Sequence, residues 1–325
     1  MRPLVVALLL VCGCRQPPDP NHPKVAFLLS TLQEERYQKD KAYFEDAARK
    51  LGLKPFTLAA DNDNARQLNE VEDALARGAR VLVIQPTDSA AAGAYVSKAH
   101  EHGVPVVAYD RDIKNGAVDY YVAHDSFHVG VLQAEAALKA TGGQGNYVIL
   151  DGQSGHSVAM EIARGYYSVL QPLIDAGKVH VVVEKSHDAW SPEQALKTVE
   201  DAITKTQGHI AAILANNSGM ARGAVQAVQA AKLAHVFIAG ADADAANVEY
   251  VCEGKQSVEV LKAIKPLAER AAEVASQLAR TGMVAGSGAK TPVAAVAVNL
   301  VDPTNARALV IDSGFQSASS LPACK

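Results

Sequence analysis

The feature that most constrains this chain is a rhythm. From Lys24 onward, short apolar runs of strand length alternate with segments of helical periodicity, the pattern of parallel βαβ units. The strand-like runs fall at residues 25–29, 81–84 and 104–109, separated by helical stretches around 37–51, 65–77 and 91–102. Gly52, Gly78 and Gly103 each follow one of these helices, where a left-handed terminating residue belongs. The same rhythm restarts at 147–150 and continues through 179–183, 210–214 and 236–239. A second α/β lobe of similar build is therefore predicted, which agrees with a 325-residue chain exceeding the size that one core usually serves. A helix over about 262–280 and an apolar run at 293–300 follow after the second lobe should be complete. They leave chain to cross back between lobes. The predicted lobes are 24–124 plus 263–292, and 125–262 plus 293–325.

The first residues read as an address. Arg2 precedes an apolar run from Leu4 to Val11, too short to span a bilayer but suited to a signal peptide over 1–13. Its end, Val11-Cys12-Gly13-Cys14, resembles a lipoprotein signal, in which a small residue precedes the cysteine that is acylated and becomes the new N-terminus. Cys14 holds that position. Residues 14–23 carry four prolines and little that packs, so they read as a tether to a lipid membrane. Removing the signal leaves Cys14, Cys252 and Cys324. If Cys14 carries lipid, Cys252 and Cys324 are an even pair in an oxidising compartment, either bonded so as to pin the C-terminal tail or present as two free thiols.

Charge removes one class of partner. The formal charge is only −4 and no long run of Lys or Arg occurs, so the chain lacks the electrostatic footprint of a nucleic-acid binder.

In open parallel sheets, ligands bind beyond the carboxyl ends of the strands. Polar residues recur there: Asp110 and Arg111 after Tyr109, Asp151 after Leu150, Asn216 and Asn217 after Ala215, and Asp242 after Ala241. Each alone reads equally as a helix N-cap. Their recurrence in both predicted lobes points to a shared cleft. With Tyr37 beside Arg36 and a single tryptophan, Trp190, the set combines carboxylates, amides, guanidinium and aromatic faces. Sugars suit such a set, because charged groups bond hydroxyls directionally and an indole covers a C–H face. The residues around Trp190 (Asp188, Ser191, Pro192) read as a loop opening a helix, against the alternative of a core tryptophan.

Five stretches in order resemble the xylose-binding members of the ribose-binding-protein-like, type I periplasmic sugar-binding family. They are Glu35-Arg36-Tyr37-Gln38-Lys39-Asp40, residues 106–111, Asp188-Ala189-Trp190-Ser191-Pro192-Glu193, Gly240-Ala241-Asp242-Ala243-Asp244 and residues 254–262. The resemblance implies two Rossmann-like lobes joined by a three-crossover hinge. It also implies sugar contacts from Arg36, Asp110, Arg111, Trp190, Asn217, Asp242 and Lys262, with Tyr37 covering the ring. The function implied is monosaccharide capture, of D-xylose or a related aldose, for the membrane permease of an ABC transporter. The protein would act as a monomer, without cofactor. A sugar-sensing co-receptor for a membrane receptor or kinase is the alternative role. One segment departs from the pattern: residues 152–159 place His156, Ser157 and Val158 where the xylose binders carry Asp-Asn-Asn. Val158 cannot bond a hydroxyl through its side chain, so a different pentose or hexose stays open.

Other chemistries fit less well. His124 and His128 are four apart, as in some zinc sites, but the intervening segment lacks the metalloprotease Glu. Asp110, Asp242 and Asp244 offer carboxyl pairs for a glycosidase. Arg36, Arg111 and Lys262 nearby would keep those carboxyls ionised and deprive the site of an acid. Residues 155–158 lack the second glycine of a nucleophile elbow. A sugar-responsive repressor would need a DNA-binding segment where this chain has an export signal.

The anchor is directly testable. Cys14→Ser should move the protein from the membrane fraction to the soluble exported fraction, because durable anchoring needs two acyl chains. Unchanged membrane association of the variant would show that another feature holds it.

Overall fold

A computed structural model describes residues 21–282 and 293–324. The signal segment 1–13, Cys14 and most of the tether lie outside the described residues. The chain opens with β1 (Lys24–Leu29), α1 (Glu35–Lys50), β2 (Lys54–Ala59), α2 (Asn64–Ala76), β3 (Val81–Ile84), α3 (Gly93–Glu101), β4 (Val106–Tyr109) and β5 (Tyr120–His124). The second run is α4 (Ser126–Thr141), β6 (Gly145–Asp151), α5 (Ser157–Asp175), β7 (Val179–Ser186), α6 (Pro192–Thr206), β8 (Ala212–Ala215), α7 (Ser218–Ala230), β9 (Phe237–Ala241), α8 (Ala245–Cys252) and β10 (Val258–Lys262). The chain then passes through α9 (Ile264–Thr281), β11 (Val293–Val296) and β12 (Val298–Val301).

Two six-stranded sheets result, ordered β11-β5-β4-β3-β1-β2 and β12-β10-β9-β8-β6-β7. The first is parallel throughout, and in the second only β12 runs against its neighbour β10. Strand alternation builds a core on each face. In β1, Val25, Phe27 and Leu29 pack with α1 and α9 residues, while Ala26 and Leu28 face those of α2 and α3. Burying each such large side chain contributes roughly 1.5–3 kcal/mol. Gly52, Gly78 and Gly103 adopt φ of +77°, +81° and +66°, closing the helices as the sequence predicts.

The apolar run at 293–300 differs from the prediction. Val293–Val296 joins the first sheet beside β5, and Val298–Val301 joins the second. The last crossover therefore lies at Ala297 and not before Val293. No turn residue marks the switch, since Ala297 continues the apolar run. Three strands, β2, β5 and β10, also escaped the sequence reading. β2 contains Pro55 and is an edge strand bonded only to β1, the one setting in a sheet that tolerates proline. β5 is a short run bounded by Asp119 and ending in His124.

The three crossovers bond to one another. The His124 imidazole lies 3.1 Å from the Ala263 carbonyl through Nε2, and the Asp125 N–H donates to Val296 O at 3.2 Å. His128 is exposed and His124 buried, so they share no site. Among the described residues, no group of three or more His, Cys, Asp or Glu side chains could hold a metal.

The C-terminal segment packs Ala306, Val310 and Leu321 against Val248 and Leu261, and a Cys252–Cys324 disulfide closes a separation of 72 residues. From this segment Gln316 donates to Ala243 O at 3.1 Å and accepts from Lys39 of α1 at 2.9 Å. Closing so long a loop restricts the unfolded chain, so Cys324→Ser should lower the unfolding free energy by about 2–4 kcal/mol. Urea titration with and without reductant checks this: the parent should fall to the variant's midpoint when reduced, and equal midpoints before reduction would refute it.

Candidate functional site

Both sheets present their strand ends to one cleft. The loop after β1 leads into α1 with Glu34, Arg36 and Tyr37, while Asp110 and Arg111 follow β4. From the other lobe, Asp242 follows β9, Lys262 ends β10, and Trp190 closes a 3-10 turn before α6. These eight predicted or adjoining polar and aromatic groups, with Val158, line a single cavity of about 10 Å³. That is about the room of one water. A group the size of a sugar ring would fit there only if the lobes parted or side chains turned. A larger depression of about 230 Å³ lies on the surface between α2 and α3, lined by Glu72, Leu75, Ala76, Lys98 and His102. Its polar groups are taken up in a partly exposed Lys98–Glu72 pair, so it lacks the convergence of the cleft.

The backbone is strained where the cleft is built. Asp110, Trp190 and Asp242 have φ of +61°, +57° and +97°, in a region that costs side-chain-bearing residues of order 1–3 kcal/mol each. Such conformations persist only when surrounding contacts fix them.

Charge pairing supplies those contacts. Arg36 reaches Asp110 at 3.0 Å, Asp40 at 3.4 Å and, across the cleft, Asp242 at 3.1 Å. Lys262 lies 3.2 Å from the same oxygen of Asp242. Burial alone would raise the Asp110 carboxyl, but Arg36 and Lys262 overcome it and hold the group well below its usual range. Asp242 is likewise lowered, its burial outweighed by Lys262 and Arg36. Asp40 is the exception. Burial pushes it up to about 6 despite Arg36, and it also accepts a bond from the Tyr109 hydroxyl. Three cations (Arg36, Arg111, Lys262) thus face acids in comparable number (Asp40, Asp110, Asp242 and the Glu34 of the cavity wall), a near balance that suits an uncharged, hydroxyl-rich ligand.

The aromatic wall is assembled from both lobes. Arg111 donates to the Tyr37 hydroxyl at 3.0 Å and to Pro86 O at 3.0 Å, and the guanidinium groups of Arg36 and Arg111 lie 5.1 and 5.8 Å from the Tyr37 ring centre. Trp190 donates through its indole N–H to His156 Nδ1 at 2.8 Å. It also presses on the backbone at Gly152, where a Cβ would sit 2.4 Å from the indole.

Asn217 stands apart from this cavity. Its side chain caps α7 by accepting from Met220 N at 2.8 Å, the N-cap role that the sequence also allowed. Asp151 faces Glu184 instead, and burial together with that neighbour raises it to about 7. The sequence reading missed Glu34, which lines the cavity and is pushed up to about 7 by burial against the pull of Arg111. It missed Gln85 as well, whose amide lies 3.5 Å from Asp110 and accepts from Ser30. Gln85 directly follows β3, the same strand-end position that drew attention to Asp110. His156 had been noted only as a departure.

Comparison with known proteins agrees with this geometry. The periplasmic binding protein domain family matches residues 25–282. The chain belongs to that family. Among its relatives in the family, the D-xylose-binding periplasmic protein of Escherichia coli (strain K12) is 35% identical over 305 residues, covering 92% of each chain. The protein of the same description from Haemophilus influenzae is 34% identical over 305 residues, again with 92% coverage of each. A periplasmic-binding-protein structure of similar build is the carbohydrate transporter solute binding protein of Chloroflexus aurantiacus in complex with D-glucose. It has a TM-score of 0.83 and 31% identity, covering 91% of this chain and 97% of that one.

Arg36 is the test of this site. Arg36→Ala leaves Asp40 and Asp110 buried without their cation, which should destabilise the protein by about 3–5 kcal/mol near neutral pH. The loss should also depend on pH. In the parent, Asp110 is lowered, so its contribution is constant from pH 8 to 5 and is lost only as pH falls below the ordinary carboxylate range toward the lowered folded value. In the variant the unpaired carboxyls are raised, the folded state binds more protons, and stability grows as pH falls from 8 to 5. Urea unfolding at both pH values decides, and an equal loss at each would sink the account.

Proposed function

We propose that this exported protein is the substrate-binding component of an ABC sugar importer, a binding protein and not an enzyme. It captures a monosaccharide, D-xylose or a related aldose, between its lobes and presents it to a membrane permease. Lipid on Cys14 tethers it to the membrane, and it acts as a monomer. The observation that carries this reading is the balanced set of buried charges contributed by both lobes to one cleft and backed by Tyr37 and Trp190. The likeness to D-xylose-binding periplasmic proteins over 92% of the chain supports the same class of ligand. Closure of the hinge brings Arg36, Asp110 and Arg111 against Trp190, Asp242 and Lys262. The closed form is what the permease reads.

One observation favours a ligand other than xylose. Val158 lines the cavity and brings no hydrogen-bonding side chain, and a solved relative holds D-glucose.

Isothermal titration of the chain from Lys24 against pentoses and hexoses should find a micromolar binder, about −8 kcal/mol. A ten-atom sugar can supply this, at a ceiling of about −1.5 kcal/mol per heavy atom. Asp242→Ala should weaken binding by about 1.5–3 kcal/mol, roughly tenfold to 150-fold. Its melting temperature without sugar should change little, because Arg36 and Lys262 regain water when the lobes part. Trp190→Ala should weaken binding similarly and abolish sugar-dependent tryptophan fluorescence. Turnover of a glycoside by the parent, lost in the Asp242 variant, would overturn the assignment.

A further inference from the structure

We propose that His156 is the positioning residue of this cleft, holding the Trp190 indole in place from within its own lobe and tying it to the backbone of the other lobe. This rests on the sugar-binding reading above and deepens it.

The ring sits just before α5 and is buried. Its Nδ1 is 2.8 Å from the Trp190 indole nitrogen, which can only donate, so Nδ1 must offer its lone pair. Its Nε2 is 2.6 Å from the carbonyl oxygen of Thr87, which can only accept, so Nε2 must carry the hydrogen. The two partners therefore select the neutral imidazole with hydrogen on Nε2. Trp190 and His156 belong to the second lobe, and Thr87 follows β3 in the first. A relay of two hydrogen bonds thus crosses the cleft, and the two rings meet edge to edge with centres 6.0 Å apart and planes inclined by 28°.

Neighbouring bonds reinforce the same seam. The Asp112 N–H donates to Ser157 Oγ at 2.8 Å, the Ser157 N–H to Ser89 Oγ at 3.2 Å, and the Ser89 N–H to Gly155 O at 3.4 Å. The charged groups acting on the ring are Arg111, with Nη1 3.5 Å from Nε2, and Asp110 beyond it; Asp88 lies against Gly155. A proton on Nδ1 would remove the acceptor that holds Trp190 and set a second cation beside Arg111. Burial first, and Arg111 second, push the imidazole down to about 2.

When the lobes part, the ring meets water and returns toward its ordinary value of about 6.5. The closed form then excludes a proton that the open form binds. Closure through His156 is complete above about pH 6.5 and weakens as pH falls, by about tenfold per unit once the open form is charged. Glu34 works in the opposite direction, since its carboxyl is raised to about 7 by burial in the closed arrangement. Only the difference between parent and His156 variants isolates the histidine.

The experiment titrates D-xylose, D-ribose and D-glucose into the parent, His156→Phe and His156→Gln between pH 7.5 and 5.5, with Trp190 fluorescence as a second readout. Phe keeps an aromatic ring of similar bulk and loses both bonds, whereas Gln keeps an amide that can donate and does not titrate. At pH 7.5 the Phe variant should bind the preferred sugar at least tenfold more weakly and shift the indole emission, with Gln in between. The parent's advantage over either variant should shrink about tenfold by pH 5.5. If the Phe variant does not fold, the Gln variant supplies the same ratio. A parent that binds sugar, with variants of equal affinity at both pH values, overturns the role of His156 and leaves the sugar reading intact. A parent that binds none of the sugars sinks that reading instead. In that event, small-angle scattering decides the latch: a parent no more compact than the variants at pH 7.5 overturns it too.

Discussion

The arrangement of this protein depends on one buried guanidinium. Arg36 stands in the first turn of α1 and bonds two carboxylates of its own lobe, Asp40 and Asp110, and one of the other, Asp242. A charge withdrawn from water is tolerated only when partners compensate it closely, and here those partners lie on both sides of the cleft. The lobes are therefore not merely adjacent. Each supplies charge that the other needs, and the Asp110 and Asp242 carboxylates stay ionised because Arg36 and Lys262 outweigh the penalty of burial. Parting the lobes replaces these pairs by water, so closing and opening exchange one set of polar partners for another. A hydroxyl-rich ligand can enter that exchange as a third party, because hydroxyls both donate and accept.

The hinge is wired to the same groups. Lys262 is the last residue of β10, and the next residue, Ala263, accepts from His124 at the end of β5. His124 in turn lies 3.8 Å from Asp110 through Nδ1. Burial lowers this imidazole, as do the neighbouring Lys262 and Arg36, which keeps it from adding another cation to the cluster. Movement at two of the three crossovers thus reaches cleft carboxylates through single side chains. The disulfide-held C-terminal segment adds a further link, since Gln316 bonds both Lys39 of the first lobe and the carbonyl of Ala243 beside Asp242.

Much of this was legible in the sequence because parallel strands announce their own ends. A buried apolar run that stops at Asp110-Arg111 or at Asp242 marks both the strand and the cleft. The strand switch at Ala297 was not legible, because β11 and β12 form one apolar run and only the different sheets they join separate them. Asn217 shows the opposite difficulty. It follows its strand as Asp242 does, and nothing local distinguishes a residue that caps its helix from one that faces the ligand. Gln85 lay in plain view beyond β3, but an amide after a strand raises less suspicion than a carboxylate. The His156–Trp190 bond joins residues 34 apart, so only the folded lobe could reveal that the lone tryptophan has its partner in the segment that departs from the family pattern.

That segment changes how the cleft divides its work. His156 commits both ring nitrogens, one to Trp190 and one to Thr87, and Ser157 bonds Asp112 and Ser89 across the seam. Val158 faces the cavity without a polar atom in its side chain. Where the resemblance to the xylose-binding members implies polar contacts to sugar, His156 and Ser157 here bond the opposite lobe. In the proposed sugar-binding role, recognition of hydroxyls would fall on Arg36, Asp110, Asp242 and Lys262, whose positions are pinned by strained backbone at Asp110 and Asp242 and by one another. Part of the free energy of closure comes from protein meeting protein rather than protein meeting ligand. A cleft built in this way fixes the orientation of a sugar firmly on its charged side and leaves the Val158 side to be filled by shape.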